Sequence, residues 1–121
     1  MKKKILIVED ENILGEMYKD KFEQAGLDVV LAESAEKALK IAPEVKPDLI
    51  LLDILLPKEN GIYFLNEIKN RPEFSNIPIV AFSNYDDPDT KKEAYKLGVK
   101  EYLIKTAYTP QEIIEKVKNY L

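Results

Sequence analysis

The sequence predicts an α/β domain in which a parallel sheet is covered by helices on both faces. Five short apolar segments of the 121-residue chain have the length and the branched side chains of strands buried on both faces. Each is followed by a segment in which apolar residues recur every three or four positions, as on one face of a helix. Strands that alternate with amphipathic helices form parallel sheets with right-handed crossovers. This alternation does not by itself give the order of the strands.

The predicted strands are short and are separated by turn residues or by proline. They are KILIV (4–8), DVVLA (28–32), DLILLD (48–53), IVAFS (79–83) and EYLIK (101–105). The third is the most apolar segment of the chain, and we therefore place it at the centre of the sheet.

The predicted helices are indicated by residues that are typical of helix ends. The first carries Ile13 and Phe22 and ends at Gly26, and the second is capped by Ser34 and ended by Pro43 and Pro47. The third carries Phe64 and Ile68. The fourth begins at Asp87 and Pro88 and ends at Gly98, and the fifth begins with the capping box TPQE (109–112). Proline suits a first helical turn because its missing N–H has no partner there, and glycine suits the position after the last turn.

The composition excludes several classes of function. The net charge is −4 and Arg71 is the only arginine, which argues against nucleic-acid binding because phosphate neutralisation needs a basic surface. The chain has no cysteine and no histidine, so it lacks thiolate ligands and the commonest general base. No apolar run approaches the ~20 residues of a membrane span, and the apolar run at the N-terminus is too short for a signal peptide. We therefore expect a cytoplasmic protein.

Polar side chains follow the predicted strands at their carboxyl ends, where ligands bind in parallel sheets. They are Glu9, Asp10 and Glu11 after the first strand, Glu33 after the second, Asp53 at the end of the third, Ser83 and Asn84 at the fourth, and Lys105 at the fifth. Taken one at a time, these residues are as well explained as helix caps, turn formers or solvated charges. Their convergence on one edge of the sheet favours a functional site.

The residue types at this edge predict phosphoryl-transfer chemistry. If the first and third strands are neighbours, Glu9, Asp10 and Asp53 lie close together and would repel one another unless a cation lies among them. Oxygen ligands without His or Cys select Mg²⁺, Ca²⁺ or Mn²⁺. A metal ion, the Lys105 ammonium and the Ser83 hydroxyl around one carboxylate suit the stabilisation of a phosphoryl group. Asp53 would then be the nucleophile and would form an acyl phosphate.

The motifs ILIVEDE, PDLILLDILLP…NG, IPIVAFSN and GVKEYLIK resemble those of the receiver domains of two-component response regulators, the CheY-like family. The resemblance covers essentially the whole chain. It implies a (βα)5 flavodoxin-like three-layer fold with strand order 2-1-3-4-5, and one receiver domain over residues 1–121 with no output domain. It also implies a phosphoacceptor in a phosphorelay rather than an enzyme, with only self-phosphorylation and self-dephosphorylation that depend on Mg²⁺.

The resemblance assigns roles to particular residues of this sequence. Asp53 would accept the phosphoryl group, and Lys105 would pair with it. Mg²⁺ (or Mn²⁺ in its place) would be bound by Glu9, Asp10, Asp53 and the backbone carbonyl of Leu55. The switch residues would be Ser83 and Tyr102, and the loop after the third strand would be shaped by Pro57 and Gly61. The implied partners are a sensor histidine kinase or a histidine phosphotransfer protein, and a downstream protein that binds the face formed by the fourth helix, fifth strand and fifth helix. Nucleic-acid binding by this domain and membrane insertion are not expected.

Two residues depart from the family pattern, and two others are bulky neighbours of Asp53. Thr106 follows Lys105 where most receivers have proline, and we expect a cis or strained bond between them, although cis costs about 2.5–4 kcal/mol without proline. Asn84 replaces a small residue. Leu55 and Tyr85 are bulky neighbours of Asp53, and we expect them to slow hydrolysis of the acyl phosphate.

Three other classes of protein compete with this interpretation. A flavin-binding protein would need a Ser/Thr/Gly-rich loop where the chain has VEDENI. A phosphatase with an aspartyl nucleophile typically has a second aspartate where Leu55 stands. The alternative that remains open is a pseudo-receiver, an interaction module that acts without phosphorylation. Asn84 and Thr106 leave room for it.

Overall fold

The predicted strands form one parallel sheet at the centre of the molecule. In the computed structural model, which describes residues 2–55, 60–84 and 86–121, five strands, numbered along the chain, lie in the order 2-1-3-4-5. The expectations for Pro57 and Tyr85 lie outside the described residues. This order places the first strand next to the third, as the predicted convergence of Glu9, Asp10 and Asp53 requires.

The strand bounds agree closely with the prediction. They are Lys4–Val8 (β1), Asp28–Ala32 (β2), Leu49–Asp53 (β3), Ile79–Ser83 (β4) and Glu101–Ile104 (β5). Asp48 lies just before β3, and its carboxylate accepts a hydrogen bond from the Lys4 amide at 2.8 Å. Lys105 lies after β5 and begins a 3₁₀ turn.

The helix ends that the sequence predicted are found in the structure, with one exception. Their bounds are Asn12–Gln24 (α1), Ala35–Val45 (α2), Gly61–Lys69 (α3), Pro88–Lys96 (α4) and Pro110–Lys118 (α5), with 3₁₀ turns at Pro72–Phe74 and Lys105–Ala107. The side chains of Ser34 and Asp87 accept hydrogen bonds from backbone N–H groups of the first turns of α2 and α4. Thr109 and Glu112 form the reciprocal capping box of α5.

The prediction that Pro43 ends the second helix is wrong. Pro43 lies inside α2, which continues to Val45. Proline removes the N–H that would bond to the carbonyl four residues earlier, here that of Leu39. The guanidinium of Arg71 donates a hydrogen bond to this carbonyl at 2.9 Å. A tertiary contact thus replaces the missing helical bond.

The expectation of a cis bond between Lys105 and Thr106 is also wrong. The described residues contain no cis peptide bond. Lys105–Ala107 instead forms a 3₁₀ turn directly after β5, which reorients the chain with trans peptides. Without proline the trans form is favoured by a few kcal/mol, so a trans turn is the more stable solution.

Two apolar layers cover the sheet. Strand side chains point to alternate faces, so Leu6 and Val8 face the layer of α2, α3 and α4, whereas Ile5 and Ile7 face the layer of α1 and α5. Every residue of β3 and β4 is buried. Within the part of the chain that the structure describes, no helix has the length and apolar character to cross a membrane.

Candidate functional site

Two buried carboxylates lie side by side at the carboxyl ends of β1 and β3. Val8 pairs with Leu52 in the parallel register, so Glu9 and Asp53, which follow them directly, are neighbours. The exposed fractions of Glu9 and Asp53 are only 3% and 4%. Two carboxylates so close in a low-dielectric environment require a compensating cation.

The ammonium of Lys105 provides positive charge between these carboxylates. Its Nζ lies 2.6 Å from Glu9 Oε1 and 3.2 Å from Asp53 Oδ2. Lys105 follows β5, which is separated from β3 by β4, so the long side chain extends across the end of β4. The sequence predicted the proximity to Asp53 but not the shorter contact with Glu9.

The electrostatics of these three groups follow from their burial. Burial raises the pKa of Glu9 to about 7, although the hydrogen bond from Lys105 acts in the opposite direction. Burial also raises the pKa of Asp53, against the positive charge of Lys105. Burial disfavours the charged form of Lys105, but the hydrogen bond to Glu9 and the charge of Asp53 outweigh it and raise the pKa of Lys105. The lysine therefore remains an ammonium at neutral pH.

Asp10 adds a third carboxylate to the site. Carboxylate oxygens of Glu9, Asp10 and Asp53 all lie within 4.8 Å of one another. Asp10 is half-buried, so this side of the cluster is open to solvent. Three carboxylates, in a chain without His or Cys, form an oxygen donor set that suits Mg²⁺ or Mn²⁺. The residues present therefore fit the expected metal.

The backbone after Asp53 turns back towards its carboxylate. The N–H of Leu55 donates a hydrogen bond to Asp53 Oδ1 at 3.1 Å, which holds the carboxylate at the mouth of the site. The Leu55 side chain is 50% exposed. At the start of α3, the N–H of Gly61 donates to the carbonyl of Ile54 at 2.8 Å. These contacts bring the two described ends of the loop close together.

Ser83 and Tyr102 lie on β4 and β5, next to the carboxylates. Ser83 is fully buried and Tyr102 is 5% exposed. Burial raises the pKa of Tyr102, and a side-chain hydrogen bond with Ser83 opposes this, so the two side chains are linked. The backbone N–H of Tyr102 donates to the hydroxyl of Tyr95 at 3.0 Å. A chain of contacts thus connects the site to α4.

Several polar residues at the strand ends do not join the site. Glu33 follows β2, an edge strand, and is not one of the three carboxylates that converge. Asn84 is exposed. Glu11 is also exposed, and only its backbone contributes, through a hydrogen bond from its N–H to Glu9 Oε2 at 3.3 Å.

Sequence reasoning missed two aromatic residues beside Lys105. The Lys105 Nζ lies 4.5 Å from the centroid of the Phe82 ring. Phe82 in turn contacts Tyr18 of α1 edge to face, with ring centroids 5.4 Å apart. The position of Phe82, directly before Ser83 and in register with Asp53, was the available signal. Because Phe82 is apolar and lies in a predicted buried strand, the sequence indicated only a core residue at this position.

Comparison with known proteins defines the class of this chain. The family model of the response regulator receiver domain matches residues 5–118. The alkaline phosphatase synthesis transcriptional regulatory protein PhoP of Bacillus subtilis is 36% identical over 121 residues, which are 100% of this chain and 49% of PhoP. The chain thus spans about half the length of curated relatives such as PhoP.

Solved structures show the same fold. The chemotaxis protein CheY4 of Vibrio cholerae superimposes with a TM-score of 0.93 at 23% identity, with both chains covered in full. The Mn²⁺-bound form of the response regulator Rcp1 superimposes with a TM-score of 0.80 at 27% identity, covering 97% of this chain and 90% of that one. This chain belongs to the receiver domains of response regulators, the signalling domains of two-component systems.

Proposed function

We propose that this domain accepts a phosphoryl group on Asp53 and changes a protein-binding surface in response. The observation that carries the proposal is the buried Asp53 carboxylate, which lies 3.2 Å from the Lys105 ammonium and within 4.8 Å of two further carboxylates. The acidic cluster does not stabilise the fold, because the raised pKa of Asp53 means that the folded protein disfavours its charged form. It is well suited to a group that reacts with a cationic or metal-bound ligand.

The chemistry follows from the groups at the site. A carboxylate oxygen of Asp53 forms a bond to phosphorus while the P–N bond of a phosphohistidine breaks, and the electron pair of that bond returns to the imidazole. Glu9, Asp10, Asp53 and the Leu55 carbonyl would hold Mg²⁺, which supplies positive charge for the phosphoryl oxygens. The Rcp1 relative carries Mn²⁺, which supports a divalent ion at the acidic cluster. The Lys105 ammonium neutralises the charge that the phosphoryl group adds beside Asp53.

The switch would begin at the hydrogen bond between Ser83 and Tyr102. A phosphoryl group on Asp53 offers acceptor oxygens next to Ser83, and the Ser83 hydroxyl would donate to them instead of bonding to Tyr102. If Tyr102 is the switch aromatic that the family resemblance implies, it would then turn into the space that Ser83 vacates. Because Tyr102 is already buried beside Ser83, we propose instead that the loss of its partner is the primary event. Tyr95, joined to the Tyr102 backbone, would carry the change to α4.

The proposed partners follow from this geometry and from the family. A sensor histidine kinase or a histidine phosphotransfer protein would supply the phosphoryl group, and a downstream protein would bind the face of α4, β5 and α5. Tyr95, which is 44% exposed, lies on that face. We expect no nucleic-acid contact by this domain, because its net charge is −4.

The test is the intact mass of the protein after incubation with acetyl phosphate, with and without Mg²⁺, for wild type and Asp53→Ala. The expected result is one phosphoryl adduct that requires both Mg²⁺ and Asp53. If a folded wild type forms no adduct and also binds no beryllofluoride, the proposal is wrong and the domain is a pseudo-receiver. An adduct that persists in Asp53→Ala would place the acceptor elsewhere.

A further inference from the structure

The Lys105 ammonium lies over one ring of an aromatic pair, Phe82 and Tyr18. The proposed phosphoacceptor function gives this pair no role. Phe82 of β4 is fully buried, and Tyr18 of α1 is 3% exposed. Their rings meet edge to face at an interplanar angle of 74°, a favourable geometry for two aromatic quadrupoles. The Phe82 ring is therefore held in one orientation, with Lys105 Nζ 4.5 Å from its centroid.

The contact between Lys105 and Phe82 is electrostatic as well as steric. A cation within about 6 Å of a ring centroid is attracted by the negative face of the ring, and the attraction grows where water is excluded. The Lys105 side chain is only 8% exposed. Glu9 and Asp53 accept hydrogen bonds from the ammonium, and the ring provides its third contact.

We propose that Phe82, oriented by Tyr18, is a positioning residue that keeps the Lys105 ammonium between Glu9 and Asp53. Lysine is a flexible side chain with high rotamer entropy, and Lys105 follows β5, which is an edge strand. A ring face attracts the ammonium without a fixed hydrogen-bond direction. Lys105 can therefore exchange an Asp53 oxygen for a phosphoryl oxygen while it stays over the ring. A leucine at this position would fill space but would not attract the cation.

The first experiment examines this geometry in the unphosphorylated protein. A proton above a ring face experiences a ring-current shift, so the ε-methylene protons of Lys105 should resonate upfield of those of the exposed lysines. The Phe82→Leu variant should lose this shift, and Tyr18→Phe, which keeps both rings, should retain it. Lys105 protons at the frequency of exposed lysines in the wild type would overturn the proposal.

The second experiment separates the attraction of the ring from its volume. Phenylalanine carrying one, two or three ring fluorines is introduced at position 82, which weakens the negative ring face with little change in size. We expect the rate constant for phosphorylation by acetyl phosphate and Mg²⁺ to fall stepwise, by about fivefold in total. Phe22, which is fully buried in the same apolar layer, is the matched control. Equal rates throughout the series, or equal losses at both positions, would refute the role of Phe82.

The kinetic part of this inference rests on the proposed phosphoacceptor function, so a third readout keeps the two apart. The exchange of the Lys105 ammonium protons with water is measured by NMR in the same fluorinated proteins, without any phosphodonor. Faster exchange on fluorination at position 82, but not at position 22, supports the positioning role even if the wild type takes up no phosphoryl group. Exchange that is independent of fluorination at position 82 contradicts it.

Discussion

Alanine at Gly61 and alanine at Gly15 should change the free energy of unfolding in opposite directions. A Cβ at Gly61 would lie 2.8 Å from Ile54 Cα, 2.9 Å from Ile54 Cδ1 and 3.0 Å from the Asp53 carbonyl oxygen. Two of these three atoms belong to the backbone and cannot move alone. The start of α3 must therefore shift away from Asp53 and Ile54.

The expected magnitude for Gly61→Ala is that of an overpacked core. Such substitutions destabilise by about 1–3 kcal/mol, which for a domain of this size lowers Tm by roughly 4–12 °C. A shift of the Asp53 backbone should also weaken beryllofluoride binding. No comparable penalty arises at Gly15, where the nearest atoms to a new Cβ are the Cγ of Glu9 at 3.6 Å and the methyl groups of Leu31 at 3.7 Å. Gly15 lies in the interior of α1, so alanine should stabilise the domain by about 0.5–1 kcal/mol.

Urea unfolding of the two variants and the wild type measures both effects in one series. The wild type is the reference, and Gly15→Ala controls for the general effect of adding a methyl group. A Gly61→Ala protein as stable as the wild type would refute the steric argument. So would two variants that shift in the same direction, because the contacts around the two glycines would then not determine the sign.

Four further predictions follow from the site and its surroundings. First, Glu9 should make the metal-free protein less stable as pH rises from about 4.5 to about 7, because its raised pKa means that the folded state binds more protons than the unfolded state in this window. Urea unfolding in EDTA should show a loss of roughly 2 kcal/mol between pH 5 and pH 7.5 that Glu9→Gln lacks, and equal pH slopes for the two proteins would contradict this. Second, Mg²⁺ at a hundredfold excess over its Kd should stabilise the wild type by about 2.7 kcal/mol, and Asp10→Asn should remove most of this effect. If Mg²⁺ raises the Tm of Asp10→Asn as much as that of the wild type in a thermal shift assay, Asp10 is not a ligand. Third, Arg71→Met should destabilise the domain by about 1 kcal/mol, because it leaves the Leu39 carbonyl without its hydrogen bond. The loss should be much smaller in a Pro43→Ala background, where the new N–H of residue 43 donates to that carbonyl, and additive effects in this double-mutant cycle would argue against the compensation. Fourth, the partly exposed Leu55 beside Asp53 should slow the attack of water on an acyl phosphate at Asp53, so Leu55→Ala should shorten its lifetime in a mass-spectrometric time course. A wild-type half-life of a few seconds would show that no such shielding exists.

The fold was largely predictable because its signals are local. The runs at 4–8, 28–32 and 79–83 were predicted with the bounds that the structure has, since strands buried on both faces are marked by continuous apolar sequence. The caps at Ser34, Asp87 and Thr109 were also correct, because capping depends on side chains within one helical turn. Pro43 was misjudged because the group that compensates for it, Arg71, is distant in the sequence.

The sequence by itself determined the alternation of strands and helices, the absence of histidine and cysteine, and the acidic, hydroxylic and basic residues that end the strands. The tertiary structure decided the contacts among them: that Lys105 bonds to Glu9 more closely than to Asp53, that Ser83 already pairs with Tyr102, and that Phe82 lies beneath the ammonium. Local structure depends on neighbouring residues, and a sequence pattern can express it. The length of a contact between side chains from β1, β3 and the turn after β5 depends on sheet register, twist and packing, which are settled only when all the strands are assembled.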